Sequence, residues 1–109
     1  MKKIIAYKEY FNEFIKKLTS AEQQKLRRVL GLLKTEDRMP SHYVKYIRDG
    51  VYELRVTCPN TELRVFFIYD GNTIVVLFNA FKKKTQKAPE SEIKKAIKLK
   101  DEYYGSKGN

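Results

Sequence analysis

The apolar positions of this chain change period partway along it. Over residues 7–33 they recur at helical spacing, and over residues 43–81 they alternate or run together as they do in strands. Tyr7, Tyr10, Phe11, Phe14, Ile15 and Leu18 fall three or four apart, on one face of a first helix. Thr19-Ser20 interrupts that pattern. Ser20 with Gln23 three residues on reads as a capping box opening a second helix, in which two side chains satisfy N–H groups that the first turn leaves free. Leu26, Val29, Leu30 and Leu33 form its stripe, and Met39-Pro40 stops it soon after Asp37. So short a connection predicts an antiparallel helix hairpin. A short strand over Lys3–Ala6 precedes it.

The second regime predicts consecutive antiparallel strands over 51–57, 63–69 and 73–81, rich in β-branched and aromatic residues. Residues 58–61 and 70–72 hold the Pro, Asn and Gly that turns require. A further strand is expected over 43–48. Pro89 then stands where a helix can begin, and Glu90 and Glu92 suit the positive end of its dipole. Ile93, Ala96, Ile97 and Tyr104 mark its apolar face, Gly105 its end, and 106–109 a frayed tail. The sum is an α+β domain over residues 1–109: a helix hairpin, an antiparallel meander and a C-terminal helix, with helices on one face of the sheet and the other partly open.

Composition narrows the function. With one cysteine, Cys58, no internal disulfide can form, and no long apolar run is present, so a cytoplasmic setting without a membrane span is expected. One Cys, one His and scattered carboxylates give no metal-ligand spacing, and no Gly-rich phosphate loop appears, so neither metal nor cofactor is expected. Net charge is +10, and residues 80–100 hold eight lysines against two acids, which points to a polyanionic partner. On a helix such lysines also make an ordinary solvated face.

Alternation over 51–57 sends Glu53 and Arg55 to one face and Tyr52, Leu54 and Val56 to the other, toward the helices. Arg64 lies in the next strand, and Lys82, Lys83 and Lys84 follow the one after. A meander can gather these charges into a phosphate-sized cationic cup, with arginine forks suited to bidentate contact and lysines to point contact. Arg55 has a second reading, an exposed bridge to Glu53 or Glu62 contributing at most about 1 kcal/mol. Arg64, set in an apolar strand, is costly there without a purpose. Glu53 is either a general base or the partner of these cations. Most Tyr and Phe residues sit at core periodicity, so few are expected to face a partner.

Three segments, Gly50-Val51-Tyr52-Glu53-Leu54-Arg55-Val56, Leu63-Arg64-Val65-Phe66-Phe67-Ile68-Tyr69 and Ala80-Phe81-Lys82-Lys83-Lys84-Thr85-Gln86-Lys87-Ala88-Pro89, resemble the HigB-like, phage-associated branch of the RelE/ParE toxins. Tyr10-Phe11-Asn12-Glu13-Phe14 and Glu92-Ile93-Lys94-Lys95-Ala96 extend the resemblance over nearly the whole chain. It implies a type II toxin held by a cognate antitoxin, a helix-turn-helix protein, and cutting messenger RNA on the ribosome. It also puts Arg55 and Arg64 where the family carries phosphate-contacting cations, with a lysine of the Lys82 to Lys87 run near a further one; Lys83 is taken as that residue, beside Arg55, Arg64 and Glu53 as the catalytic set, and Lys82, Lys84 and Lys87 as contacts along the RNA backbone. The implied reaction uses the RNA's own 2′-OH as nucleophile. Relatives place a Tyr or His as proton donor near the C-terminal end of the site; here His42 lies in a loop, and Tyr103 and Tyr104 lie on the last helix. Similar-looking members of the superfamily poison DNA gyrase, and a plain RNA-binding module is the third reading.

Overall fold

The computed structural model describes residues 1–84 and 88–107. Its elements are β1 (Lys3–Ala6), α1 (Tyr10–Lys16), α2 (Ser20–Thr35), β2 (Val44–Arg48), β3 (Val51–Cys58), β4 (Thr61–Asp70), β5 (Ile74–Lys83) and α3 (Glu90–Lys107). The fold is α+β, with N-terminal helices, a central mixed sheet and a C-terminal helix. The sheet order is β1-β5-β4-β3-β2; β1 runs parallel to β5, and every other pair is antiparallel.

The start of α2 follows side-chain chemistry closely. α2 is capped by Thr19, whose hydroxyl accepts from the Glu22 N–H at 3.1 Å while Glu22 Oε1 accepts from the Thr19 N–H at 2.9 Å. The box therefore sits one residue earlier than the Ser20–Gln23 pair, where extended Thr19 and a carboxylate acceptor supply it. Gln23 instead donates to the Ile15 carbonyl at 2.8 Å and ties α2 to the end of α1. α1 begins only at Tyr10, because Lys8 adopts a positive φ of 60°. Tyr7 consequently leaves the expected helical stripe and packs edge-on against Phe78 and Tyr103 on the opposite side of the sheet. The β2–β3 hairpin turns on Asp49 and Gly50, whose φ values of 54° and 82° suit a turn with two left-handed central residues.

Alternation sorts the strands into two cores. Leu54, Val56, Leu63, Val65, Phe67, Val75 and Leu77 meet Phe11, Leu26, Val29 and Leu33 of α1 and α2. Val51, Phe66, Ile68, Val76 and Phe78 meet Ile93, Ala96 and Leu99 of α3. Helices thus cover both faces, not one as the pattern suggested, because α3 crosses the side expected to be open. Its inward residues are Ile93, Ala96, Leu99 and Tyr103; Tyr104 is 42% exposed, and the helix continues through Gly105 to Lys107. Among the described residues no helix is long and apolar enough to cross a membrane.

One irregularity decides which charges share a face. Val65 pairs with Ala80 and Phe67 with Leu77, so Phe78 and Asn79 together stand opposite the single Phe66. This bulge reverses the alternation of β5 beyond it. Phe81 and Lys83 therefore join the α3 side, and Ala80 and Lys82 the other.

Candidate functional site

α3 begins at Glu90 and shields only part of its face. Beyond its first turn the strands carry charge in place of apolar residues: Lys45 on β2, Glu53 and Arg55 on β3, Glu62 and Arg64 on β4, Lys83 on β5. The register sets Lys45 across from Glu53, Arg55 across from Arg64, and Glu62 across from Lys83. Two arginines directly opposed repel one another, an arrangement that costs stability unless anions stand between them.

Those anions are present. Glu53 is only 3% exposed, and its Oε1 accepts from Arg55 Nε at 3.0 Å and lies 3.7 Å from Arg64 Nε. Arg64, 4% exposed, also donates from Nη2 to Glu62 Oε1 at 2.8 Å and from Nη1 to the Leu63 carbonyl at 3.1 Å. Its Nε has no hydrogen-bond partner among the described residues. The Arg64 guanidinium holds the Glu62 carboxyl below its usual range, first by that hydrogen bond and then by charge. Arg55 keeps 28% of its side chain in solvent, so of the two arginines it is the one able to reach a ligand directly.

Arg55 opens into a cleft of about 340 Å³ whose walls include Lys45, Tyr46, Glu53, Lys83 and Glu90. Glu90 is bound by Arg48, which holds its carboxyl below the usual range. The remaining cations of the cleft, Lys45, Arg55 and Lys83, make a phosphate-sized electropositive surface backed by buried Arg64.

The expected residues therefore separate. Arg55, Arg64, Glu53 and Lys83 come together. Lys82 points to the opposite face, its Nζ 3.5 Å from Glu22 Oε1, because the β5 bulge reverses its side. Lys84 is exposed just past β5, and Lys87 lies outside the described residues. Glu53 is buried beneath the arginines, where its carboxylate orients them. Lys45 and Tyr46 were not foreseen as parts of the site; the register sets Lys45 across from Glu53 and Tyr46 across from Tyr52. His42 packs at a tilt against Tyr43 in the loop before β2, and Tyr103 donates to Asp70 at 2.6 Å from the C-terminal half of α3. Asp70 pushes the Tyr103 pKa up to about 12. Tyr52 is half-buried on the α1/α2 side, against Phe67 and Tyr69.

This combination, a mixed five-stranded sheet between N-terminal helices and one C-terminal helix, is a RelE/ParE-like fold. The chain is similar to the crystal structure of the archaeal RelE–RelB complex from Pyrococcus horikoshii OT3, with a TM-score of 0.50 and 10% identity over 80% of this chain and 98% of that one. Residues 13–101 match the family described as Phage derived protein Gp49-like (DUF891), and the chain belongs to that family. No curated protein matches it.

Proposed function

We propose that this protein is the toxin of a type II toxin–antitoxin pair on the HigB-like branch, a metal-independent endoribonuclease that cuts messenger RNA on the ribosome. The observation that carries this reading is the Arg55–Arg64 pair, held across two strands by buried Glu53 and opening on a cleft with Lys45 and Lys83. So much oriented positive charge at one end of a sheet suits a phosphate on which negative charge builds up during the reaction. The likeness to a chain of a RelE–RelB complex supports the toxin class and an antitoxin partner.

The chemistry follows from what the cleft holds. The ribose 2′-OH attacks the adjacent phosphorus, the phosphorane's charge rests on Arg55 and Lys83, and Arg64 adds to the field from beneath. The 5′-oxygen leaves, giving a 2′,3′-cyclic phosphate upstream and a 5′-hydroxyl downstream. Glu53 acts as a positioning residue for the guanidiniums. Lys84 and Lys87 follow the RNA backbone, and no side chain at the cleft is assigned as proton donor. The ribosome therefore supplies the in-line geometry and the remaining proton transfers. The partner is a helix-turn-helix antitoxin that covers the cations with an acidic segment, and the setting is the cytoplasm.

The test is cleavage in programmed ribosomes of a message carrying a single 2′-deoxy substitution at the cut site. Cutting should stop at that site only, and EDTA added to protein and RNA should change nothing. Continued cutting of the deoxy message overturns the mechanism; inhibition of gyrase supercoiling with no RNA cut under any condition overturns the function.

A further inference from the structure

We infer that the groove beside the cationic cleft is a nucleobase pocket, in which a base of the bound RNA stacks on Tyr46. The inference rests on reading the cleft as the seat of an RNA phosphate. Tyr46 lines both cavities, with the cleft on one side and a groove of about 530 Å³ on the other, walled by Met39, Arg38, Tyr52, Tyr69 and Asn72. It is 54% exposed, on an edge strand, whereas Tyr52 and Tyr69 behind it are packed into the α1/α2 core.

The ring of Tyr46 is held in place. It meets Tyr52 at 5.1 Å and 70°, and its hydroxyl accepts from the Gly50 N–H at 3.1 Å, so stacking on it costs little further ordering. Tyr52 in turn meets Tyr69 at 5.0 Å and 77°, which continues the aromatic wall into the groove. Charge separates the two cavities. Lys45, Arg55 and Lys83 make the cleft cationic, while in the groove Asp37 accompanies Arg38, so a phosphate gains little there. A flat neutral group with polar edges fits better, and the Asn72 amide stands at hand to meet such an edge. Lys45 lies across from Glu53 on the α3 side and Tyr46 across from Tyr52 on the other, so an RNA with its phosphate at Lys45 and Arg55 reaches the Tyr46 ring by passing over the edge strand β2. Stacking of this kind accepts any base and adds affinity without reading sequence.

The test compares binding, by fluorescence anisotropy, of a labelled single-stranded RNA and of the same strand made abasic. Tyr46→Ala should weaken binding of the RNA about tenfold, equivalent to about 1.4 kcal/mol, and leave the abasic strand unchanged. Tyr46→Trp should bind the RNA at least as tightly as the wild type, and Arg55→Ala should weaken both strands. Equal RNA binding by Tyr46→Ala and wild type, with Arg55→Ala weakened, overturns the base pocket and leaves the cleft standing. A loss shared equally by the abasic strand also overturns it, since Tyr46 then touches backbone alone. If the wild type binds neither strand, cleft and pocket fall together. Should Tyr46→Ala not fold by circular dichroism, the Trp variant decides: weaker RNA binding overturns the proposal.

Discussion

Among the described residues, those buried on the side of the sheet that α1 and α2 cover are all apolar, whereas the three buried polar side chains, Glu53, Arg64 and Asn79, all lie on the side of α3. Both faces come from the same strands and the same alternation. The first is closed along its length by two helices, and its residues answer to packing alone. The second is apolar only where α3 reaches, and past Glu90 it changes to fixed, opposed charges. Asn79 serves that boundary, donating to the Glu92 carbonyl at 3.0 Å and to its carboxylate at 2.9 Å at the start of the helix. One face thus serves packing alone, while the other divides between a core under α3 and chemistry at one end, which allows a substitution to be assigned by its place.

The largest expected effect tests the closed face. Leu26 has no exposed surface, and Leu26→Ala should cost about 2–5 kcal/mol of stability, read as a lower midpoint in chemical denaturation. Activity per folded molecule should be unchanged. A fall in that specific activity would show that the two faces are coupled.

Arg64→Ala comes next and acts on both quantities. Removing a guanidinium aimed at developing charge should lower cleavage about 10²–10³-fold. It also leaves Glu53 buried with Arg55 as its remaining partner, so the melting temperature should drop. Arg64→Lys keeps the charge without the fork and should fall between the two. Normal cleavage by folded Arg64→Ala would make this arginine structural only.

A smaller effect separates adjacent lysines. Lys83→Ala should reduce cleavage about tenfold, as loss of one close cation would, while Lys82→Ala, on the far side with Glu22, should stay within about twofold. Equal losses would mean that the bulge at Phe78 and Asn79 does not set the cleft.

The smallest effect lies at the other end of α3. Asp70 accepts from Tyr103 and Lys107, and these hydrogen bonds hold its carboxyl below the ordinary value of 3.8. The folded state therefore binds fewer protons there than the unfolded chain. That contribution is complete above 3.8 and fades as pH falls through the lower folded value. The melting-temperature gap between wild type and Asp70→Asn should close over that acid range, and a constant gap would remove the ion pair as its cause.

What the sequence disclosed depended on range. The strands were legible from their β-branched and aromatic runs, because period two needs only neighbouring residues, whereas the burial of Arg64 depends on a face that was expected to be partly open. The α2 cap slipped by one residue because Thr19 and Ser20 both offer a hydroxyl, with Glu22 and Gln23 both three residues on. The inward face of α3 was misassigned between Tyr103 and Tyr104 because the partner that settles it, Asp70, is distant in sequence. The separation of Lys82 from Lys83 was hidden for a related reason: a bulge shows in the pairing with β4, not in the composition of β5. Lys45 was missed because the strand bearing it carried the weakest pattern.

The parallel pairing of β1 with β5 also bears on how the molecule is made. Lys3 aligns with Ile74 and Ala6 with Leu77, so the first strand finds its place only when nearly the last has been synthesised. α3, which covers Val76 and Phe78, comes later still. Joining such distant segments is entropically expensive and slow. During translation β1 waits unpaired, and the cations on β3, β4 and β5 reach their final register only once β5 has emerged. A partner that binds the assembled surface therefore has until then to be present, and a bulky fusion ahead of Lys3 should delay maturation more than one placed after Lys107.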